Sequence, residues 1–407
     1  MSTFQINMHQ ALCSLSDALD LVGVTQIHHG KRVAFIAVEC GKLLGWDEER
    51  MDDLFQAAIL HDCGVSKTSV HAKLAQLQWE KEKEHCVLGA ELVKTAPPLK
   101  HLSDIILHHH THWDGFNGTA ISPQEKILAN CIYMADRVDI LGLHALMEHD
   151  NLLLGRDEII DKVITRSGTW FSPELVDVFK EVSNSDAFWM RLEGSNVNNY
   201  LTNWIEHDKT KEIEFDELKN VVKIFSHIVD AKSTFTREHS DGVAKLSRHM
   251  GELFNMSEHT CDILELAGFL HDLGKLRVPD EIIDKPGKLT PDEYSQIQRH
   301  SIDTSSILEG IKGFEDIALW ASQHHERVNK TGYPMHQGGD EISNEARIIA
   351  VADVFQALAQ DRPYRASMPA TEVLGILKDD VASGKLDKTI VDIVEANLET
   401  CWNAAVN

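Results

Sequence analysis

Seven side chains in the second half of this 407-residue chain have the types and spacing of a metal centre: His239, His271, Asp272, His300, His324, His325 and Asp353. Imidazole and carboxylate together suit borderline divalent ions such as iron, manganese, zinc or cobalt. Seven donors exceed what one ion takes and suit two, with Asp272 shared between them. Two ions about 3.5–4 Å apart activate water and stabilise the negative oxygens of a phosphodiester under attack. The chemistry expected is therefore hydrolysis, not redox. A lone histidine on an apolar face is as often a hydrogen-bonded core residue as a ligand. A buried aspartate differs, because its charge is costly to desolvate unless paired or bound to metal. Asp272 and Asp353 both sit in strongly apolar runs.

The elements that must carry these residues are helices. His239, Val243, Leu246, Met250 and Leu253 fall at offsets 0, 4, 7, 11 and 14, one face of a helix. His271-Asp272 ends the apolar run ILELAGFL. His300 opens a face continued by Thr304, Ile307 and Ile311, and His324-His325 closes one carrying Ile317 and Ala321. Asp353 lies between Ile349-Ala350 and Ala357. Four helices could thus point ligands into one pocket. Strand-like alternation is scarce, and an all-α fold is expected.

The same pattern occurs twice. His239 precedes His271-Asp272 by 32 residues, and His29 precedes His61-Asp62 by 32. His300 stands 24 and 25 residues before His324-His325, as His85 does before His109-His110. ADVFQAL at 352–358 answers to ADRVDIL at 135–141. Two copies of one helical unit explain these matches. The expected organisation is a helical extension over 1–22, a first copy over 23–185, a linker or helix pair over 186–221 and a second copy over 222–407.

Composition removes several alternatives. Sixty-four acidic residues against 39 Lys plus Arg give a net charge of -25. That balance disfavours a generic duplex nucleic-acid binder, whose affinity rests on neutralising phosphates, and disfavours docking on anionic membranes. No apolar run approaches a bilayer span, and MSTFQINMHQ lacks the features of a signal peptide. Seven cysteines without a Cys-x-x-Cys pair argue against disulfides and against thiolate-built zinc, and fit a reducing, cytoplasmic setting.

The second copy resembles the HD-GYP family, a branch of the HD superfamily of metal-dependent phosphohydrolases that cleaves cyclic dinucleotides. The resemblance covers about 229–396. It rests on VDAKSTFTREHSDGVAKLS at 229–247, LAGFLHDLGKLRVPDEIIDKPGKLTPDE at 266–293, HHERVNKTGYP at 324–334 and ARIIAVADVFQALAQDRPYR at 346–365. It implies two tandem HD-type domains and the seven residues above as ligands of two divalent ions, iron, manganese or another transition metal, with Asp272 bridging. Lys275 resembles the lysine that meets the substrate phosphate. Gly332-Tyr333-Pro334 matches the signature turn beside the substrate groove, and Arg362 and Arg365 resemble contacts to phosphate or a guanine edge. With Lys330 these cations would make the groove locally basic despite the acidic total.

Two departures bear on these expectations. Phe235 stands where many members have a further glutamate ligand, which implies a binuclear site. Asn329-Lys330 replaces the usual Asp-Gly, which bears on substrate identity. The activity implied is hydrolysis of cyclic di-GMP or 3',3'-cyclic GMP-AMP to the linear 5'-phosphorylated dinucleotide. The alternative is a silent module that binds a cyclic dinucleotide. A homodimer is a family-level expectation.

The first copy is similar to a diverged member. His29, His61, Asp62, His85, His109, His110 and Asp136 form a complete set for a second candidate metal site. Val65 replaces the lysine, His109-His110 is followed by THWDGFNG without Gly-Tyr-Pro, and no RPYR follows Asp136. A regulatory or structural role is expected of it.

Overall fold

The computed structural model describes residues 2–22, 28–70, 83–207, 210–232, 239–360 and 366–406. Among these the chain is helical, with one two-stranded antiparallel sheet, as the periodicity predicts. It divides into two compact units, one of Asn7–Thr210 and one of Met1–Ile6 with Lys211–Asn407. Arg362, Arg365 and Phe235 lie outside the described residues.

The first unit is built from helices Met8–Asp20, His29–Leu43, Glu48–Leu60, Glu84–Lys94, Ser103–Leu107 and Pro123–His149, followed by Leu152–Ile164, Pro173–Val182, Asp186–Leu192 and Asn196–His207. Local sequence sets the ends of these helices. Asp47 accepts from Arg50 N–H at the start of Glu48–Leu60. Ser122 and Glu125 form a reciprocal capping box before Pro123. The central helix Pro123–His149 is the longest, and Ile127 through Gly142 are all buried along it.

The second unit begins with helix Phe215–Lys232 and continues through His239–Leu253, Glu258–Leu270, Pro291–Gln298, His300–Leu308, Glu315–Ser322 and Asn344–Ala359 to Leu398–Val406. Ser257 caps the third of these through Thr260 N–H, and Ser343 caps Asn344–Ala359 through Ala346 N–H.

One segment differs from its expected form. Within 1–22, helix starts only at Met8. Thr3–Ile6 is a strand paired antiparallel with Lys211–Glu214, in the register Phe4 to Ile213. Its period-two alternation buries Phe4 and Ile6, a pattern a helix cannot use. The stretch 186–221, expected as a linker or helix pair, holds two helices that bury Phe188, Trp189, Leu192, Val197 and Leu201, then the second strand and the start of Phe215–Lys232. Apolar residues spaced among polar ones supply enough buried area to order it.

No helix among the described residues is long and apolar enough to cross a membrane. All seven cysteines are free and buried.

Candidate metal centre

Histidines at helix ends make this site. His271 follows Glu258–Leu270, and its Nδ1–H donates to Gly268 O at 2.7 Å. His324 does the same to Ala321 O, and His300 to Ile297 O. A carbonyl three residues back thereby fixes the tautomer, which leaves the Nε2 lone pair facing inward. His239 opens its helix and donates from Nδ1 to Gln356 Oε1 at 2.5 Å.

Asp272 stands at the centre and addresses two groups. Its Oδ2 lies 3.3 Å from His271 Nε2 and 3.8 Å from His239 Nε2. Its Oδ1 lies 3.6 Å from His300 Nε2 and 3.8 Å from His324 Nε2. Asp353 Oδ1 is 3.3 Å from His239 Nε2. Donor atoms of His239, His271 and Asp353 fall within 4.8 Å of one another, as do those of Asp272, His300, His324 and His325. All seven residues proposed from spacing are therefore brought together.

The electrostatics suit cation binding. Burial pushes His300 down to about 4, and His324 and His325 well below the usual range, so these rings are neutral donors. Burial opposes ionisation of Asp272, but His271 and Lys275 hold it well below the usual carboxylate range. His271 Nε2 and Asp272 Oδ1 are buried without a hydrogen-bond partner. An orphaned buried polar atom costs about 1–3 kcal/mol, and one such atom in each of the two donor groups fits bound metal.

Lys275 donates to Asp272 Oδ2 from one turn further on. Gly274 permits this turn to approach the next helix: a Cβ there would lie 2.2 Å from His300 O. Beyond His325, Tyr333 N–H donates to His325 O at 3.2 Å, and the Tyr333 ring sits 4.7 Å from the His325 ring. Buried Glu326 accepts from Met335 N–H at 2.6 Å and ties down the Gly332-Tyr333-Pro334 turn. Half-exposed Tyr294 packs edge-on against Tyr333 at 6.2 Å. Lys330 contributes otherwise than expected. Its ammonium pairs with exposed Glu341 at 2.7 Å. Its φ of 64° is the left-handed conformation that the usual glycine supplies without strain.

The first copy repeats the arrangement with different chemistry. Asp62 Oδ2 faces His61 and His29 at 3.6 and 3.8 Å, and Oδ1 faces His85 and His109 at 3.6 and 3.7 Å. His61 Nε2 and Asp62 Oδ1 are again orphaned. His29 Nδ1 donates to Asp139, which also holds Arg32. Arg137 occupies one oxygen of Asp136 at 2.7 Å. Cys86 joins His85, His109 and His110 in a four-donor group. Burial opposes its ionisation, yet His109 and His85 hold the thiol down to about 6. A cavity of about 20 Å³ lined by Ser16, Leu19, Asp20 and Val65 adjoins His29, His61 and Asp62, far below the roughly 300 Å³ at which ligand pockets begin.

Gln356, Asp139, Tyr294, Glu326 and Cys86 escaped the sequence reading. Only the first two left a signal there: each lies one turn after its aspartate, Asp353 or Asp136, at the same place in both copies.

HD-domain family models match residues 223–390 and residues 27–141. The chain is 36% identical to 3'3'-cGAMP-specific phosphodiesterase 1 of Vibrio cholerae, over 99% of this chain and 94% of that one. It is 30% identical to 3'3'-cGAMP-specific phosphodiesterase 3 of the same organism, over 93% and 92%. The crystal structure of the V. cholerae cyclic GMP-AMP-specific phosphodiesterase V-cGAP3 superposes with a TM-score of 0.65 at 25% identity, covering 99% of this chain and 98% of that one.

Proposed function

The chain belongs to the HD-GYP family of HD-domain cyclic-dinucleotide phosphodiesterases, and from that premise we propose that its second copy hydrolyses 3',3'-cyclic GMP-AMP in preference to cyclic di-GMP. The observation that carries the reading is the Asp272 carboxylate, which turns one oxygen to each of two donor groups and holds Lys275 beside them. The preference rests on the two near full-length relatives and on Asn329-Lys330 in place of Asp-Gly.

His239, His271 and Asp353 would hold one divalent ion and His300, His324 and His325 the other, with Asp272 between; iron and manganese suit this donor set. When bound, such ions polarise a phosphodiester and activate water. The protein's own part is positional. The carbonyls of Gly268, Ile297 and Ala321 keep three Nε2 lone pairs inward. Lys275 sets a positive charge beside the carboxylate, where a phosphate oxygen gains charge as the P–O3' bond breaks. Tyr333, backed by Tyr294, offers an aromatic wall for a nucleobase. Water adds to phosphorus and the 3'-oxygen leaves protonated, giving the linear 5'-phosphorylated dinucleotide.

The first copy lacks the lysine and the Gly-Tyr-Pro turn, and serves regulation or structure. Homodimerisation belongs to the same proposal and is checked by light scattering.

Protein loaded separately with manganese and iron, offered cyclic GMP-AMP, cyclic di-GMP and cyclic di-AMP, tests the reading by product separation. The linear dinucleotide from cyclic GMP-AMP is expected to form fastest. Binding without turnover by metal-loaded protein would establish a silent signalling module instead.

A further inference from the structure

The first copy departs from the second at one ligand-sized position. Ser301 follows His300, with its Oγ 3.5 Å from His300 Nε2. At the matching place in the first copy stands Cys86, whose Sγ lies 3.4 Å from His85 Nε2 and 3.9 Å from His109 Nε2. His85 and His109 Nε2 are 3.3 Å apart. His110 completes a group whose four donor atoms all lie within 4.8 Å of one another. Cys86, His85 and His109 are buried. The His109 tautomer is set by its Nδ1–H bond to Ile106 O at 2.6 Å, which turns Nε2 toward the sulfur. Asp62 Oδ1, orphaned and buried, lies 3.6 Å from His85 Nε2 on the same side.

The geometry points to a thiolate-bearing zinc site in the first copy, formed by His85, Cys86, His109 and His110 and chemically distinct from the imidazole–carboxylate centre of the second copy. Four nitrogen and sulfur donors close a tetrahedral zinc shell and leave no open position for water or substrate, the pattern of a structural ion. A thiolate also shifts preference away from manganese and toward zinc, because soft sulfur favours the softer ion. Zinc binding displaces the thiol proton to solvent and leaves sulfur as the anionic ligand. A hydroxyl at Ser301 offers no comparable anion, so the second copy retains a harder site. The first copy would then be a metal-locked scaffold, its donor set diverged toward closure.

The test uses full-length protein stripped of metal and reloaded with cobalt(II) or zinc. Cobalt-loaded protein is expected to show a sulfur-to-cobalt charge-transfer band in the near ultraviolet that disappears in both Cys86→Ser and Cys86→Ala. Zinc content should fall by about one ion per chain in Cys86→Ala. X-ray absorption of zinc-loaded native protein needs no variant and should contain a sulfur neighbour at about 2.3 Å. A zinc spectrum with nitrogen and oxygen neighbours alone would overturn the proposal, as would a charge-transfer band that persists in both variants. None of these readouts depends on hydrolysis by the second copy, so they remain distinguishable from failure of the catalytic reading.

Discussion

Lys275 and Asp272 are joined across a single turn, ammonium to Oδ2, at the one point where the carboxylate also meets the His239–His271 group. In the first copy Val65 stands three residues after Asp62, and that turn has no cation to offer. Under the proposed function, this contrast would separate a site that neutralises a reacting phosphate from one that only holds ions.

Lys275→Ala is expected to lower kcat roughly 100-fold, the scale found when one charge-stabilising donor is removed. Metal content should stay near native, because the seven ligands remain. Steady-state kinetics beside metal analysis checks this; unchanged kcat would remove Lys275 from catalysis.

Asp272→Asn should abolish turnover and reduce bound metal, whereas Asp62→Asn should leave kcat within about threefold of native, since the first copy lacks the phosphate-handling groups. Chelation should abolish activity in the native protein, with recovery on adding manganese or iron. Equal loss of activity in both variants would refute the division of labour.

Gly274→Ala drives a Cβ to 2.2 Å from His300 O, so the helix carrying His300 must shift. A stability loss of about 1–3 kcal/mol and a large loss of activity are expected from denaturation and kinetic measurements together. Gly64→Ala makes the equivalent collision, 2.0 Å from His85 O. It should destabilise the first unit while largely sparing turnover.

Gln356 touches His239 rather than the reacting atoms, and is a positioning residue. Gln356→Leu should weaken metal affinity or activity about 10–100-fold. Gln356→Asp, which copies Asp139, should recover most of it. Metal titration distinguishes this from a purely structural effect, which would lower stability without changing affinity.

Asp20 is raised to about 6, chiefly by burial and then by Asp17, while its carboxylate accepts from His28 N–H. The folded state therefore holds its proton more tightly than the unfolded chain, whose carboxyl titrates near 3.8. Its stabilising share is full below that value and is lost as pH rises through about 6. Asp20→Asn keeps an acceptor for His28 without the charge. Its advantage in thermal denaturation should be absent at pH 3.5, grow toward pH 6.5 and level off above, at about 1 kcal/mol after allowing for partial exposure. A gain of equal size at every pH would exclude this cause.

The sequence by itself determined the helical class, the tandem copies and most of the side chains that cluster in each copy. Those properties are one-dimensional: a helix repeats every 3.6 residues, so spacing alone tells which residues share a face, and recurrence of the 32- and 24-residue intervals tells that two units share a plan. His271-Asp272 and His324-His325 were legible because each ends an apolar run. Only the tertiary structure decided which atoms meet. Asp272 serves two groups because four helices converge on opposite edges of one carboxylate. Lys330 spends its charge on Glu341, and Tyr294 reaches Tyr333 from another helix. Residues 3–6 belong with the second unit because their strand hydrogen bonds are satisfied more than 200 positions away. Cys86 read as one of seven scattered thiols. Its place among three imidazoles depends on helices brought together by packing, where sequence distance carries no information about contact.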